Sequence, residues 1–244
     1  MIIKQMLLVP NPYSRPQTAL KSVKKIAVHY IGNAGTSAAA NRNYFNNLAQ
    51  TRATYASSHY IIGLEGEIIQ CVPENEIAYC TNSANSYSIS IENCHEHADG
   101  KFNAKTLASL TVLCAHLCEK YDLDPLKDII RHYDVTGKRC PLWWVVHPEE
   151  FAEFKRSVKE KMRKEVLDMD EAKRLSNRMD ELEKAFENSR EKVFKSERDV
   201  PAWGKATVEK LVKKGCLKDS ENDLDLKYTL LRLLVINDRA GLYD

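Results

Sequence analysis

Three residues in the sequence are of the types that hold a zinc ion. His29 lies in the alternating segment VKKIAVHY, which predicts a strand over residues 23–30. His132 and Cys140 enclose the loop HYDVTGKRC. Zinc binds imidazole and thiolate, and three protein ligands leave a fourth position where water becomes a nucleophile near neutral pH. Spacing alone does not single out this triplet, because the chain has 7 histidines and 7 cysteines.

The elements that must position these residues mix helical and extended patterns. Helices are predicted wherever apolar residues recur on one face, and strands wherever they alternate. The predicted segments are a helix near 37–50, a hairpin over 58–64 and 67–72, a strand over 87–94, and helices over 104–121 and 148–165. Together they predict an α/β domain over residues 1–165, in which helices flank a mixed central β-sheet.

The composition changes after this domain. Charged residues dominate segment 166–198, where apolar residues recur at spacings of three, four and seven from Ala172 to Val193. This pattern fits either one long, charged, solvated helix or a self-associating coiled coil. Residues 199–244 predict a small helical hairpin, with a first helix that stops at Gly215 and a second over 227–239. The hairpin is too small to build a robust core of its own.

Charge and targeting signals narrow the class of protein. The net charge is +2 and no long basic run occurs, which argues against nucleic acid as the main partner. The odd number of cysteines and the absence of a C-x-x-C pair predict a reduced, cytosolic set of thiols. The N-terminal segment MIIKQMLLVPNPYSRP lacks the features of a signal peptide, and no segment is apolar enough for membrane insertion. We therefore expect synthesis in the cytoplasm.

Four segments occur in a fixed order along the chain: VHYIGNAGTS, SSHYIIGLEGEIIQCVPENEIAY, NSYSISIENCH and RHYDVTGKRCP. Together they resemble N-acetylmuramoyl-L-alanine amidases of the phage-lysozyme and peptidoglycan-recognition type, and more closely the endolysins and autolysins of clostridial bacteria and their phages. The resemblance covers about residues 8–162. It implies one zinc ion bound by His29, His132 and Cys140, and hydrolysis of the amide that joins N-acetylmuramic acid to L-alanine in peptidoglycan.

The resemblance also implies a catalytic role for two residues near the metal set. Glu92 would take a proton from water and return it to the leaving amine. Lys138 would stabilise the oxyanion that forms on the carbonyl. Some family members place a tyrosine just before the histidine that matches His59, whereas this chain has Ser58 there, which shifts the proton transfer to Glu92. The alternatives without a catalytic role are that Glu92 is a surface glutamate and that Lys138 is a solvated loop lysine.

Polar and aromatic residues near this set are candidates for contacts with the polar substrate. They are His59, Tyr30, Asn33 and Asn82. His59 fits a core histidine equally well. The run Cys94-His95-Glu96-His97 also offers ligand types, but adjacent strand residues face opposite ways and converge poorly on a metal.

The C-terminal residues 199–244 faintly resemble one S-layer-homology-like unit of clostridial wall enzymes. Such a unit would bind the wall, form a homodimer, or do both, and pairing would strengthen binding to an insoluble substrate. The missing signal peptide favours an endolysin that reaches the wall through holin-type release or lysis. Two competing functions are a non-catalytic peptidoglycan-binding protein, whose relatives typically lack the cysteine that Cys140 supplies here, and an amidase that acts on soluble muropeptides.

Overall fold

The computed structural model describes residues 1–189, 192–218 and 224–243. The chain divides into two compact units, Met1–Asp170 and Glu171–Asp244. No described helix is both long enough and apolar enough to cross a bilayer.

A six-stranded mixed sheet forms the centre of the first unit, in the order β1-β4-β3-β5-β2-β6. Its strands are β1 (Ile3–Gln5), β2 (Lys25–Tyr30), β3 (Tyr60–Ile62), β4 (Ile68–Gln70), β5 (Ser88–Asn93) and β6 (Ile129–Arg131). Strands β3 and β4 form the predicted antiparallel hairpin, and the other neighbouring strands pair in parallel. The predicted mixed sheet is therefore confirmed, although β1 and β6 were not predicted.

Helices cover the sheet of the first unit. They are α1 (Ala38–Thr51), α2 (Ala104–Tyr121), α3 (Pro125–Asp128), α4 (His132–Thr136), α5 (Leu142–Val146) and α6, which begins at Pro148 and ends at Ser189. Side chains cap the N-terminal ends of two predicted helices: Ser37 caps α1 and Asn103 caps α2 by accepting backbone N–H bonds.

Two apolar layers lie on the two faces of the sheet. Ile26 and Val28 of β2 pack with α2 and the first turns of α6 in one layer. Ile61 of β3 packs with Phe45 and Leu48 of α1 in the other. Because neighbouring strand residues alternate between faces, His29 points away from the layer that holds Ile26 and Val28.

Helix α6 is longer than the sequence predicts. The predicted helix over 148–165 and the charged segment after it form one continuous helix from Pro148 to Ser189. The last position of the predicted apolar repeat lies outside this helix, because Val193 belongs to strand β7 (Val193–Phe194) and pairs with Lys227 of β8 (Leu226–Lys227). The repeat therefore ends earlier than the sequence indicated.

The second unit contains the predicted helical hairpin, formed by α7 (Ala202–Lys213) and α8 (Tyr228–Arg239). Gly215, with a φ of +71°, follows the end of α7 in the left-handed conformation that glycine adopts at low cost. Leu231 packs directly over Gly204, where a Cβ atom would come within 3.0 Å of the leucine side chain. A small apolar core joins the hairpin to the β7–β8 ribbon.

Candidate active site

His29, His132 and Cys140 converge at one end of the sheet. One ligand atom from each lies within 4.8 Å of the other two, and all three residues are buried. The Sγ atom of Cys140 is 3.7 Å from Nδ1 of His29, and the centres of the two imidazole rings are 4.9 Å apart. The structure thus brings together the three residues that the sequence analysis assigned to zinc.

Local structure accounts for the position of each residue. His29 is near the end of β2, and His132 begins α4 directly after β6, which pairs in parallel with β2. The loop after α4 folds back, because the backbone N–H of Tyr133 donates to the carbonyl oxygen of Cys140 at 3.0 Å. Cys140 therefore lies at the same end of the sheet as His132, where β6 ends.

The hydrogen bonds of the two imidazoles fit a metal ligand set. Nε2 of His29 is 2.8 Å from the Thr81 hydroxyl, and Nε2 of His132 is 3.3 Å from Oδ1 of Asn82. Nδ1 of His132 is buried and has no hydrogen-bond partner among the described residues. A metal-binding histidine typically binds the metal through one ring nitrogen and donates the N–H of the other to a nearby oxygen, as Nε2 of both rings can do here. Two imidazoles with one thiolate are ligands that suit zinc. The residues present therefore fit a zinc ion.

Burial controls the protonation of this set. It lowers the pKa of His29 well below the usual range, helped by the charges of His132 and Lys138, and it lowers the pKa of His132. Both rings are thus neutral at neutral pH, which is the form that binds metal. Burial also raises the pKa of the Cys140 thiol to about 12, so metal binding there is coupled to release of a proton.

Glu92 lies beside the metal set. It stands directly opposite His29 in the pairing of β5 with β2, so the two side chains share a face of the sheet. Its Oε1 accepts a bond from the thiol of Cys80 at 3.5 Å, and its Oε2 is buried without a hydrogen-bond partner among the described residues. Burial raises the pKa of Glu92 to about 8, against the opposing effects of the Cys80 bond and the Lys138 charge. This carboxyl group is therefore not a freely solvated surface glutamate.

A cavity of about 410 Å³ opens over these residues. Lys138 lines it from the exposed loop before Cys140, and Tyr30 and Asn82 line it as well. Asn33 lies in an adjoining groove that also reaches Glu92. The remaining side chains on the wall include Tyr55, Tyr79, Cys80 and Asn85.

His59 lies deep in the protein, outside these cavities. Its Nδ1 accepts the backbone N–H of Ser90 at 3.0 Å, and its Nε2 donates to the carbonyl oxygen of Glu76 at 2.9 Å. Burial lowers the pKa of His59 to about 4, so the ring is neutral at neutral pH. These contacts support the core-histidine alternative over a contact with substrate.

Sequence reasoning missed several residues of the site. Cys80 and Thr81 lie in a bend and Asn85 lies in the short 3₁₀ helix Asn82–Ser86 that follows it. This segment has no apolar periodicity, and only the presence of a cysteine there gave any signal. Tyr55 and Tyr79 form an aromatic wall with ring centres 5.7 Å apart, which no sequence pattern indicated. The run that begins at Cys94 forms no metal group: among the described residues, every such group includes His29.

The fold and the residues of the cavity are those of the endolysin-type amidase family. Residues 19–143 match the family model described as N-acetylmuramoyl-L-alanine amidase, and the chain belongs to this family. The resemblance that the sequence motifs indicated is thereby confirmed.

Individual relatives agree with this assignment. The chain is 39% identical to the N-acetylmuramoyl-L-alanine amidase BlyA of Bacillus subtilis (strain 168), over 62% of this chain and 45% of BlyA. It is 37% identical to the amidase CwlL of Bacillus licheniformis, over 64% of this chain and 46% of CwlL. The chain thus spans about half the length of the curated relatives it matches. Among solved structures, the catalytic domain of XlyA superposes with a TM-score of 0.55 at 29% identity, over 65% of this chain and 99% of that domain.

Proposed function

We propose that the protein hydrolyses the amide between N-acetylmuramic acid and L-alanine in peptidoglycan. The observation that carries the proposal is the convergence of His29, His132 and Cys140 beside Glu92 in one cavity. These three ligands would hold a zinc ion, which would act as a Lewis acid and lower the pKa of bound water toward ~7. Family membership and the names of the relatives support the reaction.

Two side chains supply the remaining chemistry. Glu92 accepts a proton from the attacking water and passes it to the nitrogen of the leaving L-alanine. Burial raises the pKa of this carboxyl group above that of a solvated glutamate, which favours a group that can both hold and release a proton. Lys138 lines the mouth of the same cavity and places a positive charge where the carbonyl oxygen becomes negative.

The cavity wall suits a substrate made of sugar and peptide. Tyr55 is 62% exposed and stacks on Tyr13 with ring centres 5.0 Å apart, so one face of an aromatic cluster is available to a ligand. Tyr30 and Asn82 add an aromatic ring and an amide on the same wall. Asn33 would contact a substrate group that extends into the adjoining groove.

Two alternatives remain within the same family. A non-catalytic peptidoglycan-binding protein has no need for a half-buried carboxylate beside three metal ligands, so Glu92 favours an enzyme. An amidase that acts on soluble muropeptides needs no second unit, so residues 171–244 favour the insoluble wall as the substrate.

We assign the C-terminal part of the chain to self-association and wall binding, with residues 166–198 as the helical linker or coiled coil and residues 199–244 as the small module. Leu175, Met179 and Leu182 follow a heptad repeat on α6 and are each about 60% exposed. Arg178 and Glu183 flank this stripe at positions that face each other in a parallel pair of helices. A second copy of the chain is therefore the partner that matches this stripe, and the two copies would form a homodimer.

The experiment is digestion of purified cell walls by the full chain. An amidase releases new amino groups of L-alanine without new reducing sugars, and the same assay on soluble muropeptides tests the recycling alternative. Release of reducing sugars would identify a glycosidase, and binding to walls without any release would identify the non-catalytic alternative.

A further inference from the structure

Three consecutive residues form hydrogen bonds to the proposed catalytic carboxylate and to the two proposed histidine ligands. Cys80, Thr81 and Asn82 come a few residues before β5, the strand that carries Glu92, and each sends its side chain to a different group. Their partners are Oε1 of Glu92 at 3.5 Å, Nε2 of His29 at 2.8 Å and Nε2 of His132 at 3.3 Å, respectively.

One side chain holds this segment in place. Oδ1 of Asn85 accepts the backbone N–H of Cys80 at 3.1 Å and the backbone N–H of Thr81 at 2.6 Å. The next residue, Asn82, adopts a φ of +54°, a left-handed conformation that most side chains disfavour and asparagine tolerates better. The segment therefore keeps an uncommon backbone path, and the amide of Asn85 ties down its first two residues.

The direction of the Thr81 bond matters for metal binding. When Nε2–H of His29 donates to the Thr81 hydroxyl, the proton is fixed on Nε2 and Nδ1 keeps the lone pair that a metal needs. Nδ1 is also the atom that lies 3.7 Å from Sγ of Cys140. Thr81 is fully buried, so water does not replace its hydroxyl without rearrangement of the segment.

We propose that Asn85 and Thr81 are positioning residues for the metal set: Asn85 fixes the segment 80–82, and through it Thr81 fixes the tautomer and orientation of His29. The inference rests on the proposed zinc site and deepens it. Neither residue takes part in bond breaking. Removing either therefore weakens metal binding itself, and not only turnover.

The test measures zinc affinity directly, by competition between the protein and a chromogenic chelator. Thr81→Val keeps the shape of the side chain and removes the hydroxyl, and we expect a loss of roughly 10–100-fold in zinc affinity. Thr81→Ser restores a hydroxyl and should keep most of the affinity. Asn85→Leu removes the acceptor and should lower the zinc affinity to a similar degree. Asn85→Asp keeps an acceptor oxygen at Oδ1 and should keep most of the zinc affinity.

A second measurement separates positioning from general damage. The visible absorption of the cobalt-substituted protein reports the ligand geometry, so it should change for Thr81→Val and Asn85→Leu while thermal unfolding shows both variants folded. Should Asn85→Leu fail to fold, Thr81→Val decides the matter alone. Unchanged zinc affinity and cobalt spectrum in folded Thr81→Val would overturn the inference and leave the proposed function standing. A wild-type protein that binds no zinc would overturn both.

Discussion

The Sγ atom of Cys140 lies 3.7 Å from Nδ1 of His29, although 111 positions of the chain separate the two residues. The pairing of β6 with β2 produces this proximity, because β6 ends at Arg131 and leaves His132 beside the end of β2. The loop after α4 then completes the set. The proposed metal site thus depends on strand order, and not on one local motif.

Replacing Glu92 by glutamine should separate metal binding from chemistry. Glutamine keeps the size of the side chain but cannot accept and return a proton, so we expect kcat to fall about 10²–10⁴-fold. Zinc affinity should stay near that of the wild type, because Glu92 is not one of the three ligands. Glu65→Gln, at an exposed hairpin turn, serves as the matched control. A fully active Glu92→Gln protein would contradict the assigned role.

Much of this arrangement could be predicted from the sequence. The alternation in VKKIAVHY predicts that His29 faces away from Ile26 and Val28, which the two apolar layers confirm. Helix α2 begins at Ala104 and ends at Tyr121, as its apolar spacing indicates. The resemblance of short motifs, and not spacing, selected the three proposed metal ligands.

The rest depends on tertiary pairing that no local pattern encodes. Strand β6 has 3 residues, too few for an alternation to stand out, yet it places His132. The register that sets His29 opposite Glu92 depends on two strands far apart in sequence. The segment that holds Thr81 and Asn85 is a bend followed by a short 3₁₀ helix without apolar periodicity, so its hydrogen bonds emerge only when the fold is complete.

The buried His59 should make stability depend on pH. Its pKa of about 4 in the folded protein lies below the value near 6.5 expected when unfolded, so the unfolded chain binds the proton more readily between these values. The stability that this group contributes is present above pH 6.5 and is lost as the pH falls toward 4. From pH 7 to pH 5 the loss should be roughly 2 kcal/mol.

Urea unfolding of the wild type and of His59→Gln at both pH values checks this prediction. The variant lacks the titrating group, so its decrease in unfolding free energy should be smaller by that amount. His97→Gln, whose ring is 81% exposed, should match the wild type. Equal pH dependence in the wild type and in His59→Gln would contradict the prediction.

The aromatic wall should affect substrate binding more than turnover. Tyr55 is exposed on the cavity, so Tyr55→Ala removes a surface for the substrate without touching the metal ligands or Glu92. We expect KM for cell-wall fragments to rise several-fold while kcat changes little, and Tyr55→Phe should keep the wild-type KM. A fall in kcat at constant KM would count against this assignment.

The apolar stripe of α6 should hold two copies of the chain together. Leu175→Asp with Leu182→Asp places charge on the stripe, so we expect sedimentation equilibrium to show a dimer for the wild type and a monomer for this variant. Asn177→Asp, on the opposite face of the helix, should remain dimeric. Arg178→Glu should weaken the dimer, and adding Glu183→Arg should restore it. A wild-type chain that stays monomeric would refute the pairing.

We propose that His29, His132 and Cys140 bind the zinc ion that supports cleavage of the muramoyl–L-alanine bond. The most direct test measures bound zinc and the release of L-alanine amino groups from purified cell walls on the same samples. We expect one zinc per wild-type chain, loss of activity after chelation and recovery when zinc is returned. Cys140→Ser should lose both metal and activity, while Cys216→Ser, at an exposed thiol of the second unit, should keep both. A Cys140→Ser protein that still releases amino groups at the wild-type rate would contradict the account.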